Sequence, residues 1–109
     1  MKGKIVVVPF PFTDLSSIKR RPALVIHENK YDIVVAYISS NMPSIPSPED
    51  VLISRCRSSF ALSGLISDSV IMLDKLATVE KALAIRILGE VDEDLKAEIN
   101  PKLAACYRL

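Results

Sequence analysis

Residues 5–26 read IVVVPFPFTDLSSIKRRPALVI, two apolar runs on either side of a polar, basic connection. The first run, Ile5 to Val8, is β-branched throughout, the pattern of a strand buried on both faces. A strand is expected over residues 4–8, ended by Pro9 and Pro11, because proline cannot donate to a ladder. Residues 13–20 read as loop, and a second strand follows over 22–26, opened by Pro22. Lys19, Arg20 and Arg21 bring positive charge to the foot of that strand. A connection that gathers charge between buried strands is a favoured place for binding and catalysis.

Outward from this stretch, residues 28–32 read as a hairpin turn and 33–39 (IVVAYIS) as a third strand. Pro43, Pro46 and Pro48 make 41–50 a loop. A short strand is expected over 51–54, strand or loop over 55–62, a turn at Ser63-Gly64 and a strand over 69–73. Thr78 suits the cap of one helical turn over 79–83. Residues 84–88 alternate as a strand that ends at Gly89. Asp92 is placed to cap a terminal helix, with Glu93 and Asp94 in its first turn. Leu95 and Ile99 share one face of it. Pro101 is unfavourable inside a helix, so Asn100-Pro101 reads as the start of a second short helix through Tyr107. Short strands with proline-rich loops and a terminal helix predict a mainly β fold, a small barrel or curled sheet covered at one face or end by the helix.

A chain of 109 residues, 50% of them hydrophobic, suits one domain spanning 1–109. Its net charge of +1 means that nucleic-acid binding must come from local clusters. No signal peptide is expected, since the apolar run after Met1 is short and followed by Pro-Phe-Pro. No apolar run approaches the ~18 residues of a membrane helix. Cys56 and Cys106 are isolated and suggest neither a metal site nor a disulfide. The expectation is a cytoplasmic protein without metal or cofactor.

Arg21 is the sharpest candidate for chemistry. Pro22 restricts it to extended conformations, and a guanidinium held there suits bidentate phosphate recognition. The competing reading is a solvated surface cation. Ser39 and Ser40 end the third strand before Asn41, and adjacent residues point to opposite faces, so at most one hydroxyl faces a given groove. No Ser-His-Asp spacing or GxSxG elbow accompanies them. His27, the single histidine, reads as a strand-end or structural residue. The acids Asp14, Asp68 and Asp74 form no paired-carboxylate or metal spacing. Phe10, Phe12 and Tyr37 read as core or as stacking surfaces. Arg55 and Arg57 would share one face of an extended segment, either as a basic track or as solvated charge.

Together, GKIVVVPFPFTDLSSIKRRPALVI, VVAYISSN, SGLISDSVIMLDKLATVEK and the Gly89-Glu90-Val91 step resemble the MazF/PemK family of toxin endoribonucleases, in its PemK-like branch. The resemblance spans nearly the whole chain except the loop 41–50. It implies an SH3-like barrel (a CcdB/MazF-like fold) with a C-terminal helix, a homodimer, and a bacterial or archaeal cytoplasmic setting. The implied activity is metal-independent cleavage of single-stranded RNA at short sequences, blocked by a cognate antitoxin. The family's arginine in R-P-x-L-V falls on Arg21, and its hydroxyl at the end of the third strand falls on Ser39. Phe12, Thr13, Asp14, Lys19, Arg20, Ser40, Asn41 and Asp74 are the expected RNA-binding residues. Two positions depart from the pattern: an arginine two residues before the acid is Met72 here, and an acid after Gly3 is Lys4.

The implied reaction uses the neighbouring 2′-hydroxyl as nucleophile and leaves a 2′,3′-cyclic phosphate and a 5′-hydroxyl. Arginine stays protonated and serine is a poor base, so either Arg21 is unusually perturbed or catalysis is mainly electrostatic and positional. Two other classes compete. One is a related-fold toxin that binds DNA gyrase, against which the lack of tryptophan counts. The other is a non-catalytic SH3-like binding module.

Overall fold

The computed structural model describes residues 1–10 and 19–109, Phe10 by its backbone alone. Strands β1 (Lys4–Phe10), β2 (Lys19–Glu28), β3 (Asp32–Ser39), β4 (Asp50–Ile53), β5 (Ser69–Glu80) and β6 (Arg86–Glu90) form one curled sheet in the order β4-β5-β3-β2-β1-β6. Helix α1 (Phe60–Ser63) precedes β5, a 3-10 turn (Lys81–Leu83) follows it, and α2 (Glu93–Cys106) closes the described chain. This is the expected mainly β fold with a C-terminal helix, the sheet curling into an open half of the small barrel.

The β-branched runs are buried on both faces of the sheet. Ile5, Leu24, Ala36, Ile38, Ile71 and Leu73 join Leu95 and Ile99 of α2 in one cluster. Val6, Val8, Ala23, Val25, Ile33 and Val35 form a second, flanked by Tyr37, Ala77 and Val79. Val6 and Ile5 thus belong to different cores, as the alternation of a pleated strand requires.

Several element boundaries differ from the sequence reading. β1 continues through Pro9 to Phe10, because β6 partners β1 only from Lys4 to Val7. The missing N–H of Pro9 therefore meets no ladder on that side. β2 starts at Lys19, so Lys19 and Arg20 are strand residues opposite Phe10 and Pro9. β5 runs on to Glu80 through a bulge. Leu76 still pairs with Ala36, but the next pair is Met72 with Tyr37, which leaves Leu73, Asp74 and Lys75 outside the β3–β5 ladder. Thr78 is consequently mid-strand, and the helical turn is confined to Lys81–Leu83 behind Glu80. Ala77 and Val79 keep the period of two that faces the second core. β4 ends at Ile53, and Arg55 and Arg57 lie in the turns before α1 rather than on a strand face.

The terminal helix begins as expected, Asp92 accepting the Leu95 N–H at 2.9 Å. It does not restart at Pro101, which lies inside one continuous helix. An interior proline costs about 3 kcal/mol. Burying Leu95 and Ile99, with Leu103 packed beside them, contributes roughly 1.5–3 kcal/mol per side chain, and the exposed Pro101 ring faces away from the core. Packing therefore outweighs the lost hydrogen bond. Arg57 ties the α1 approach to α2 by ion pairs to Asp94 (3.1 Å) and Glu98 (2.8 Å) and a hydrogen bond to the Leu52 carbonyl (2.8 Å). Burial opposes charge on Glu98, yet Lys102 and Arg57 outweigh it and hold the carboxyl below its ordinary range.

Candidate functional site

The site forms where the β2–β3 ladder stops. The Val7 carbonyl accepts the Ile85 N–H at 2.9 Å, so Val7 turns its backbone away from β2. Its partner Pro22 therefore turns its own backbone toward β3. Pro22 has no N–H to offer there, and the last β2–β3 pair is Ala23 with Tyr37. Two residues beyond that pair, the same register sets Arg21 across from Ser39, both on the face of Ala23 and Tyr37. The strand ends part instead of pairing, and a cleft of about 210 Å³ opens between them, lined by Arg21, Pro22, Tyr37, Ser39, Asn41 and the 65–69 segment.

Arg21 is half-buried and makes no side-chain hydrogen bond or ion pair among the described residues, so its N–H groups are available to an oxyanion. Ser39 is 8% exposed. Its Oγ accepts the Asn41 N–H at 3.0 Å, a local turn that fixes the hydroxyl without the methyl of threonine. One acceptor site of the oxygen is thereby engaged, and the hydroxyl hydrogen makes no bond among the described residues, so it can be given to a ligand.

The other sequence-predicted residues divide. Ser40 and Asn41 line the cleft beside Ser39. Lys19 shares the face of Arg21, whereas alternation turns Arg20 to the opposite face, so the basic triplet is split. Asp74 is not brought to the cleft. It is exposed on the β5 bulge near Tyr107, whose hydroxyl donates to the Leu73 carbonyl. Burial first, then the neighbouring Cys106 and Asp74, pushes the Tyr107 hydroxyl above its ordinary range. Phe12, Thr13 and Asp14 lie outside the described residues. His27 is exposed, just past the β2 bulge and at the far end of the strand from Arg21. Lys4, at the position that departs from the family pattern, pairs with Glu90 at 3.1 Å. Among the described residues no group of three or more His, Cys, Asp or Glu side chains could hold a metal ion.

Sequence reading missed the 65–69 segment as a wall of the cleft. Its position depends on Gly64, in the left-handed region at φ 72°, where a Cβ would lie 2.0 Å from the Leu88 carbonyl oxygen. The turn signal at Ser63-Gly64 was legible, but not its contact with β6.

A family model described as the PemK-like, MazF-like toxin of type II toxin-antitoxin systems matches residues 1–107. The chain belongs to this toxin family. Solved structures agree on the fold. An endoribonuclease from a mycobacterial species, in complex with its cognate antitoxin, superposes with TM-score 0.75 at 19% identity, covering 100% of this chain and 95% of that one. The Mycobacterium tuberculosis toxin MazF-mt6 gives TM-score 0.75 at 17% identity, with 97% of each chain covered. A chain of MazE-MazF from Deinococcus radiodurans gives 0.70 at 20% identity, covering 99% of the toxin and 94% of that chain. At these identities the likeness is one of fold. No curated protein matches the toxin by sequence. No helix among the described residues of the toxin is long and apolar enough to cross a membrane.

Proposed function

We propose that the toxin is an endoribonuclease that cuts single-stranded RNA without a metal ion. The observation that carries this reading is the placement of Arg21 and Ser39 on one face, across the cleft where Pro22 ends the ladder. Arg21 binds the scissile phosphate and neutralises the charge that grows on its oxygens as the neighbouring 2′-hydroxyl attacks. Ser39 donates its hydroxyl hydrogen to a phosphate oxygen. The 2′-oxygen bonds to phosphorus, its proton passing to water, as the bond to the 5′-oxygen breaks and that oxygen takes a proton from water, giving a 2′,3′-cyclic phosphate and a 5′-hydroxyl. Rate enhancement then comes from in-line positioning and from electrostatics. Lys19, Ser40 and Asn41 hold the flanking chain, Phe12, Thr13 and Asp14 are further RNA contacts, and Arg20, on the opposite face, adds only general positive charge.

The toxin works as a homodimer and is blocked by a cognate antitoxin. The named family and the antitoxin-bound neighbour support the second statement. Ile85 and Ile87, about half exposed at the β6 edge, support the first.

Incubation with single-stranded RNA in EDTA, followed by end mapping, tests the reading. Cyclic-phosphate ends are expected from the wild type, reduced about 10²–10³-fold in Arg21→Ala. RNA left intact at high protein concentration would sink the proposal, and cleavage only with added metal would refute the mechanism alone.

A further inference from the structure

Beside the Arg21–Ser39 cleft lies a second, wider hollow of about 510 Å³, lined by Ser40, Asn41, Met42, Arg55, Ser67 and Asp68. The two share Ser40, Asn41 and Ser67, so a chain that crosses the cleft passes directly into the hollow. Arg55 is fixed at its rim. One guanidinium nitrogen, Nη2, donates to the Ile66 carbonyl at 3.0 Å, and the Arg55 backbone N–H donates to Asp68 Oδ1 at 2.7 Å. The other guanidinium N–H groups and Asp68 Oδ2 make no bond among the described residues.

The charges of Arg55 and Asp68 offset one another, and a carboxylate disfavours phosphate. Phosphate is drawn instead to Arg21, which has no acid partner among the described residues. What suits the hollow is a neutral group that offers acceptors to a fork and donors to a carboxylate. Met42, 38% exposed, lines the hollow as an apolar surface for a flat ring, and Ile66, 88% exposed, lines the adjoining cleft.

The geometry points to a subsite for one unpaired guanine, next to the scissile nucleotide. Guanine O6 and N7 match the arginine fork, the commonest specific base contact. Guanine also places two adjacent N–H donors, N1–H and N2–H, on its Watson–Crick edge for the Asp68 carboxylate. Unpaired bases splayed from the chain are the usual targets of sequence-specific RNA recognition. This inference names the sequence preference of the cleft and rests on the reading that the cleft cuts RNA.

Two measurements test it, the first independent of cleavage. Guanosine 5′-monophosphate titrated into the full chain should shift the backbone amide NMR signals of Asn41, Ser67 and Asp68. It should bind about tenfold more tightly than the adenosine, cytidine and uridine monophosphates. Inosine 5′-monophosphate, which lacks the 2-amino group, should bind more weakly than guanosine. Asp68→Asn keeps the acceptor for the Arg55 N–H and should abolish the guanine preference without changing thermal unfolding. Guanosine monophosphate that moves none of these amides, or equal binding of all nucleotides, overturns the subsite.

The second measurement maps cuts in a randomised RNA pool. A guanine enriched at one fixed offset from the cut, and lost about 10- to 100-fold in Arg55→Ala and Asp68→Asn, supports it. Cleavage with no guanine at a fixed offset overturns the subsite and leaves the ribonuclease reading standing. Intact RNA sinks the ribonuclease reading, and the nucleotide titration still decides the subsite.

Discussion

The Ser39 hydroxyl is held by one bond among the described residues, from the Asn41 N–H to its Oγ, while its backbone pairs with Val70 of β5. Ser39→Thr keeps both the bond and the hydroxyl hydrogen, and cleavage should stay within a few-fold of wild type. Ser39→Ala leaves the Asn41 amide without that acceptor. It should lower stability by about 1 kcal/mol in urea unfolding and cleavage by about 10²-fold in end mapping. Only the family resemblance implied that Arg21 and Ser39 form one site, but their places at strand ends were legible in sequence because their constraints are local: a proline follows one, and the other ends a β-branched run. Asp74 was not, because its position depends on a bulge that no local pattern announces. Nor could sequence separate Arg55 from Arg57. The Asp94 partner of Arg57 lies 37 residues away, and only the fold brings it close. Arg57 is spent on α2, whereas Arg55 remains at the rim of the hollow.

Among elements, the strands carried by uninterrupted β-branched runs were readable, while those that rely on partners were not. β5 mixes Leu73-Asp74-Lys75 into its middle, so its period breaks and its second half resembles a helix start. α2 poses the opposite problem, because a local rule forbids Pro101 and tertiary packing admits it. Pro101→Ala restores an N–H to the helix interior and should raise stability by about 1–3 kcal/mol, read as a higher thermal midpoint. Gly64→Ala should do the reverse. A methyl cannot fit against the Leu88 backbone, and φ 72° is already unfavourable for alanine. A loss of about 2–4 kcal/mol is expected in urea unfolding. A weakened cleavage rate should accompany it, since the 65–69 wall starts there.

Across the whole molecule, the curled sheet divides its apolar side chains into two cores, and charge ties the ends together outside them. Glu28 is the clearest tie. Hydrogen bonds from Lys81 and from the Met1 amino group hold its carboxyl at about 2, below its ordinary 4.5. The folded state therefore favours charged Glu28, and that contribution is complete above about pH 4.5 and fades as pH falls toward 2. Glu28→Gln should flatten the loss of stability across this window, measured as the urea midpoint against pH. The distribution of aromatic residues follows the same global arrangement. The chain has three tyrosines and no tryptophan. Tyr31 lies under the Lys30 ammonium, 5.3 Å from it, and Tyr107 sits at the end of α2. Of these tyrosines, only Tyr37 lines the cleft between the parted strands. The cleft therefore has a natural optical window: Tyr37→Trp would install the sole indole of the protein there, and its emission would report occupancy of the cleft against a dark background.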